Sequence, residues 1–175
     1  MSSRHARGFT LVELIVTMVI VSIAVLGVTY SLSFALRHHS DGIWQAKSVA
    51  LAQSYLDEIV ARRYDEVSPL GGVPPCSPAA DPCTPAGRFD DGETRAEYDD
   101  VDDYDGIDDS PPVDAEGVVR PNYDGYRIQV TVSYPNADRS AALGLDDPTD
   151  AKMITVAVSR PSGGTMRFTT VRSNF

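Results

Sequence analysis

Residues able to do chemistry gather at three places in this 175-residue chain. One is Glu13, an acid four residues beyond Phe9 inside an otherwise apolar stretch. A carboxylate there costs about 2.5 kcal/mol or more in a membrane helix, so a plain anchor would not carry it. Another is the acidic run Tyr98-Asp99-Asp100-Val101-Asp102-Asp103-Tyr104-Asp105-Gly106-Ile107-Asp108-Asp109. Asp103 and Asp105, with Gly106 supplying a tight turn, are candidate ligands for calcium, a hard cation that takes carboxylate oxygens. The run is not an EF-hand, because aligning Asp105-Gly106 on that motif puts Val101 at the first ligand position and Pro112 where the bidentate Glu belongs. The plainer reading is a solvated acidic loop ordered by Tyr98, Val101 and Tyr104 packing inward. The last place is Cys76 and Cys83, with six residues between them in a Pro-rich stretch. Outside the cytoplasm they are expected to form a local disulfide, with free thiols the alternative; zinc would need two further ligands, and no His lies nearby.

Catalysis has little to work with. The histidines are His5, His38 and His39, which leaves none beyond residue 39 for a Ser-His or Cys-His pair. There is no Walker-type loop and no Cys-x-x-Cys pair. The expectation is that the chain is not an enzyme and needs no certain cofactor, with calcium the one candidate.

The element that must position Glu13 is a helix. From Leu14 to Leu36 there are 23 consecutive residues without a formal charge and without Pro. At ~1.5 Å per residue they reach ~35 Å, enough for a hydrocarbon layer of ~30 Å. Arg4 and Arg7 precede the run, so the positive-inside rule puts the amino end in the cytoplasm and the rest of the chain outside. A secretory signal peptide fits less well, because the run exceeds the usual ~7–15 apolar residues and no convincing A-x-A site follows it.

The sequence Arg7-Gly8-Phe9-Thr10-Leu11-Val12-Glu13, followed at once by Leu14 and the apolar run, resembles the class III leader of type IV pilins and type II secretion pseudopilins. The resemblance implies cleavage between Gly8 and Phe9 by a prepilin peptidase, N-methylation of Phe9, and Glu13 as the fifth residue of the mature chain. The residue types suit those roles. Gly8 lets a peptidase approach the backbone closely. The α-amine created on Phe9 is costly in an apolar filament core, and Glu13 of a neighbouring subunit would pair with it. The acidic run with the later Tyr-rich strand resembles the D-type minor pilin of mannose-sensitive haemagglutinin (MSHA) pili. The segment Ala46 to Glu58 also resembles the I-type minor pseudopilin and the V-type minor pilin.

No Pro occurs between Phe9 and Ser68, so the helix is expected to continue past the apolar run to about Arg63. Gly27 and Gly42 are weak points, each costing up to ~1 kcal/mol of helix propensity, where local unwinding is expected. Val49, Ala52, Leu56 and Ile59 recur at helical spacing and predict one buried stripe. Tyr126, Ile128, Val130, Val132 and Tyr134 alternate with Arg127, Gln129, Thr131 and Ser133, the pattern of a half-buried strand. Ile154, Val156 and Val158 form a second such set, and Met166, Phe168 and Thr170 a third. Pro161-Ser162-Gly163-Gly164 reads as the hairpin turn between the last two. The expected fold is α+β: a long N-terminal helix, membrane-spanning in its first half, packed on a small antiparallel sheet of about three strands. Its expected divisions are a leader at 1–8, a transmembrane half-helix at 9–36, an amphipathic half-helix at 37–63, a loop-rich acidic region at 64–125 and the sheet at 126–175.

Charge completes the reading. The net charge is −10, and removal of Arg4 and Arg7 leaves thirteen Lys and Arg against 25 Asp and Glu, or −12. Between Asp90 and Glu116 stand thirteen acids and the single base Arg95, so this segment alone accounts for −12. Such a surface argues against nucleic acid, which needs a cationic footprint. The combined expectation is a minor pilin-like subunit held single-pass in the inner membrane, amino terminus cytoplasmic and head periplasmic, then inserted into a pilus or pseudopilus. Its partners would be prepilin peptidase, major and minor pilins, the assembly platform of the inner membrane, and membrane lipid. The alternatives are an I-type minor pseudopilin of type II secretion, and a membrane-anchored calcium or ligand-binding module that does not polymerise.

Overall fold

The computed structural model describes residues 10–77, 81–89 and 92–174, apart from the side chains of 36–41. Helix α1 spans Leu11–Val60. It passes through Gly27 and Gly42 without the expected unwinding, because propagating a long helix costs little once nucleated. It ends short of Arg63. Arg62 N–H bonds back to Ile59 O at 3.1 Å, and Arg63 N–H leaves the helix for Asp99 O at 3.1 Å. The chain divides into two compact units, Met1–Gln45 and Ala46–Phe175.

In the first unit, Leu11–Ala35 is long and apolar enough to cross a membrane, and its large side chains are exposed. Four of its hydroxyls are bonded within the helix. Thr17, Ser22, Thr29 and Ser33 each donate to a carbonyl one turn back, at 2.8–2.9 Å. Polar side chains bonded in this way add little cost in an apolar surrounding.

The second unit is an antiparallel sheet covered by the end of α1. Strands β1 (Asp108–Asp109), β2 (Arg127–Ser133), β3 (Ala151–Ser159) and β4 (Thr165–Ser173) lie in the order β1-β2-β3-β4. The sheet therefore has four strands rather than three. The extra strand pairs Asp108 with Gln129 and Asp109 with Ile128, and two adjacent aspartates carry no β signal in sequence. The register of the alternating sets matches their apolar faces: Ile128 faces Val158, Val130 faces Val156, and Val132 faces Ile154. At the β3–β4 turn Gly163 has φ 86° and Gly164 has φ 93°, values that only glycine adopts readily. A short helix, α2 (Ala137–Leu143), is capped by the Asn136 side chain, which accepts from Arg139 N at 3.0 Å, and by left-handed Gly144.

The helical stripe differs from the expected one. Ser48, Leu51, Ala52, Tyr55 and Ile59 are buried, whereas Val49 is 36% exposed and Leu56 only partly covered. Tyr55 moves the buried face by one position because its ring fills the core while its hydroxyl finds partners. It donates to Asp109 Oδ2 at 2.6 Å and accepts from Val113 N at 3.0 Å. The core joins Leu51, Ala52, Tyr55 and Ile59 to Val101, Tyr104 and Ile107 of the acidic segment and to the inner residues of β2 and β3.

Candidate functional site

The amino-terminal motif is described from Thr10 onward; Gly8 and Phe9 lie outside the described residues. Glu13 sits in the first turn of α1, where a carboxylate complements the helix dipole. Its N–H is accepted by Thr10 Oγ1 at 3.3 Å. Thr10-x-x-Glu13 has the spacing of a capping box, so Thr10 starts the helix and sets where Glu13 emerges. The signal for this role of Thr10 is the Thr-x-x-Glu spacing itself.

The middle of the acidic segment packs inward through Tyr98, Val101 and Tyr104 as expected, while Asp99, Asp108 and Glu116 stay exposed. Val101 and Tyr104 are fully buried and Tyr98 packs beside them, in edge contact with Tyr104 at 5.2 Å. Asp100, Asp102 and Asp103 are buried as well, which the plain picture of a solvated loop did not include. Backbone bonds strap the segment down: Val101 N to Arg63 O at 3.1 Å, Gly106 N to Val130 O at 3.2 Å, and Val130 N to Ile107 O at 3.0 Å. Its single base, Arg95, pairs with Glu58 Oε1 on α1 at 3.0 Å and lies over the rings of Tyr55, Tyr98 and Tyr104. Tyr104 also donates to Glu58 Oε1, at 2.9 Å.

The two calcium candidates spend carboxylate oxygens on backbone amides. Asp103 Oδ2 accepts from Asp99 N at 2.8 Å and Asp100 N at 2.9 Å. Asp105 Oδ1 accepts from Val132 N at 2.8 Å, closing the open edge of β2. Among the described residues, potential metal ligands gather instead as Glu66, Asp99 and Asp100 and as Asp65, Cys76 and Cys83. In the first group Arg63 already provides a cation, bonding Glu66 Oε2 at 3.2 Å and also Asp99. In the second, Cys76 and Cys83 form a disulfide with Cα atoms 5.1 Å apart. Its segment is tied to the sheet end by Asn174, whose side-chain amide donates to Cys76 O at 2.9 Å.

The strongest electrostatic feature involves residues not singled out from the sequence. Lys152, on the inner face of β3, has no exposed surface. Its ammonium donates to Tyr64 O at 2.7 Å, Asp65 Oδ2 at 2.8 Å and Asp102 Oδ2 at 2.7 Å. The rings of Tyr64, Phe89 and Tyr134 surround Nζ, with centroids at 4.4, 5.6 and 5.8 Å. Three elements supply the acids and base: the turn after α1 holds Asp65, the 3-10 turn Asp102–Tyr104 holds Asp102, and β3 holds Lys152. Lys152 could have been found from sequence, since it has the same strand parity as Ile154, Val156 and Val158 and so shares their buried face.

The two carboxylates on Lys152 differ. Burial pushes Asp65 up, but bonds from Lys152 and from Thr84 N and Oγ1, at 2.9 and 3.1 Å, outweigh it and hold the carboxyl below its usual range. Burial raises Asp102 to about 8 despite Lys152, with Asp100 and Asp65 adding repulsion. Its Oδ1 is buried without a hydrogen-bond partner among the described residues. Asp100 is also raised, to about 7, by burial and then by Asp103.

Residues 3–29 match the family model of the prokaryotic N-terminal methylation motif. The chain is thus prepilin-like at its amino terminus, which supports the class of type IV pilins and pseudopilins. The α+β fold, a long apolar helix leading to a small antiparallel sheet, fits that class. Neither the curated proteins nor the solved structures give a significant match.

Proposed function

We propose that this protein is a minor pilin-like subunit, cleaved after Gly8 by prepilin peptidase, methylated at Phe9 and assembled through α1 into an MSHA-like type IV pilus. The observation that carries this reading is the methylation motif over residues 3–29 running directly into an exposed apolar helix. In this reading Glu13 pairs with the amine of Phe9 on a neighbouring subunit, which makes both charges tolerable away from water. The subunit is retained in the inner membrane until assembly, with its sheet unit on the periplasmic side, where a disulfide persists. Its work is assembly rather than catalysis. The large segment between Pro69 and Pro121 suits a priming or tip position better than a repeating shaft position, where bulk must be accommodated at every step.

Mass spectrometry of the mature amino terminus tests the processing claim. The expected terminus is methylated Phe9. An intact Met1, or a cut near Ser31, overturns it.

A further inference from the structure

Lys152, Asp65 and Asp102 form a site whose chemistry exceeds a salt bridge. An amine, an acid that favours its protonated form and a carboxylate held ionised meet within hydrogen-bond distance, in a place closed to water. Each N–H of the ammonium is used. The side chains of Lys152 and Asp65 are fully buried and that of Asp102 nearly so. We propose that Lys152 and Asp102 become joined by an intramolecular amide bond between Nζ and Cγ, with Asp65 as the proton acceptor.

The step balances with no added reagent. Asp65 takes one proton from the Lys152 ammonium, freeing the nitrogen lone pair. The amine attacks Cγ of Asp102 in its carboxylic acid form. The Nζ–Cγ bond forms and the bond from Cγ to the hydroxyl oxygen breaks. The hydroxyl departs with a second nitrogen proton as water, and Asp65 is left protonated. Nothing is oxidised or reduced.

Three observations favour this outcome over a permanent ion pair. The unpartnered, buried Oδ1 of Asp102 is free to carry the departing hydroxyl, while Oδ2 accepts from Nζ. Asp65 is oriented by Thr84 N and Oγ1, so its base position does not depend on Lys152 alone. The reaction also removes two opposite charges from a site walled by Tyr64, Phe89 and Tyr134, relieving the desolvation that a buried ion pair carries. Fixed neighbours of this kind reach effective molarities on the order of 10⁵ M or more, and excluded water slows the reverse hydrolysis.

The test is peptide mapping of the full chain, extracted from membranes, reduced and cut with trypsin. Arg120 and Arg160 are each followed by Pro, so cleavage there is blocked and Asp102 and Lys152 fall in peptides 96–127 and 140–167. The expected result is these two peptides covalently joined, lighter than their sum by one water, with no cut after Lys152. Dehydration at Asp105-Gly106 also loses water, so the linkage and not the mass loss is the readout. Recovery of peptides 140–152 and 153–167 beside an unlinked 96–127 overturns the proposal, and a link to peptide 64–88 overturns the assignment of Asp102 as the acid attacked. Lys152→Arg keeps the charge and should release both peptides. Asp65→Asn should lower the rate of linkage by about 100-fold or more; linkage at the native rate overturns its role as base. The native map decides the central claim even where a variant does not fold.

Discussion

Single side chains carry the charge in this protein, and their value depends on what they are bonded to. Glu13 begins a helix with Thr10 and, in the proposed function, receives a neighbour's amine. Glu13→Ala is therefore expected to leave cleavage after Gly8 intact while reducing incorporation into filaments, measured by immunoblotting sheared pili against membranes. Unchanged filament content would remove the assembly role. Lys152 is the other decisive residue. Lys152→Met removes both the cation that Asp65 and Asp102 share and the amide bond proposed to replace it, and a loss of at least about 3–5 kcal/mol is expected in denaturant unfolding of the full chain in detergent. A change within about 0.5 kcal/mol, the size typical of surface sites, would show that the cluster is not buried in solution. Lys152 was readable from strand parity. Asp65 and Asp102 were not, because nothing local distinguishes two of 25 acids until the fold brings them to one lysine.

At the scale of elements, α1 and the acidic segment make one structure. Tyr55 joins them through Asp109 and Val113, and Arg95 joins them through Glu58. Tyr55→Phe keeps the ring and removes the hydroxyl, stranding the Val113 amide and the Asp109 carboxylate. Thermal unfolding should report a loss of about 1–3 kcal/mol, with β1 loosened first in amide exchange. The acidic segment is expected to be indifferent to calcium, because Asp103 and Asp105 hold backbone amides and Arg63 serves Glu66 and Asp99. Melting at millimolar calcium should give an unaltered midpoint, and a raised one would restore a metal site. The helix, β2, β3, β4 and their turn were legible as periodicity and glycine placement. Strand β1 and the shifted helical stripe were not. Asp108 and Asp109 pair only because β2 presents an edge, and Tyr55 counts as core only once its hydroxyl has partners.

For the whole molecule, the consequence of burying acids is a dependence of stability on pH that runs against the usual direction. Asp100 titrates at its ordinary 3.8 when unfolded and at about 7 when folded. Between these values the folded state binds more protons, so its contribution is fully present below the lower value and is lost as pH rises through the upper one. The groups around it are Asp102 and Asp103, whose amides bond its Oδ1, and Lys152. While Lys152 is unlinked, Asp65 is shifted down, so its contribution is present above 3.8 and lost only in stronger acid. The melting temperature should therefore fall from about pH 5 to about pH 8, and Asp100→Asn should flatten that slope. A native slope no steeper than that of the variant would rule out Asp100 as its source. The amino-acid sequence by itself determined the membrane-length helix, the processing motif and the alternating strands, because each is written in neighbouring residues and read by local rules of length, spacing and parity. Only the tertiary structure decided what the acidic segment is. A charge on one element takes its meaning from a counter-charge on another, and Asp102 and Lys152 stand fifty residues apart in the chain but 2.7 Å apart in the fold.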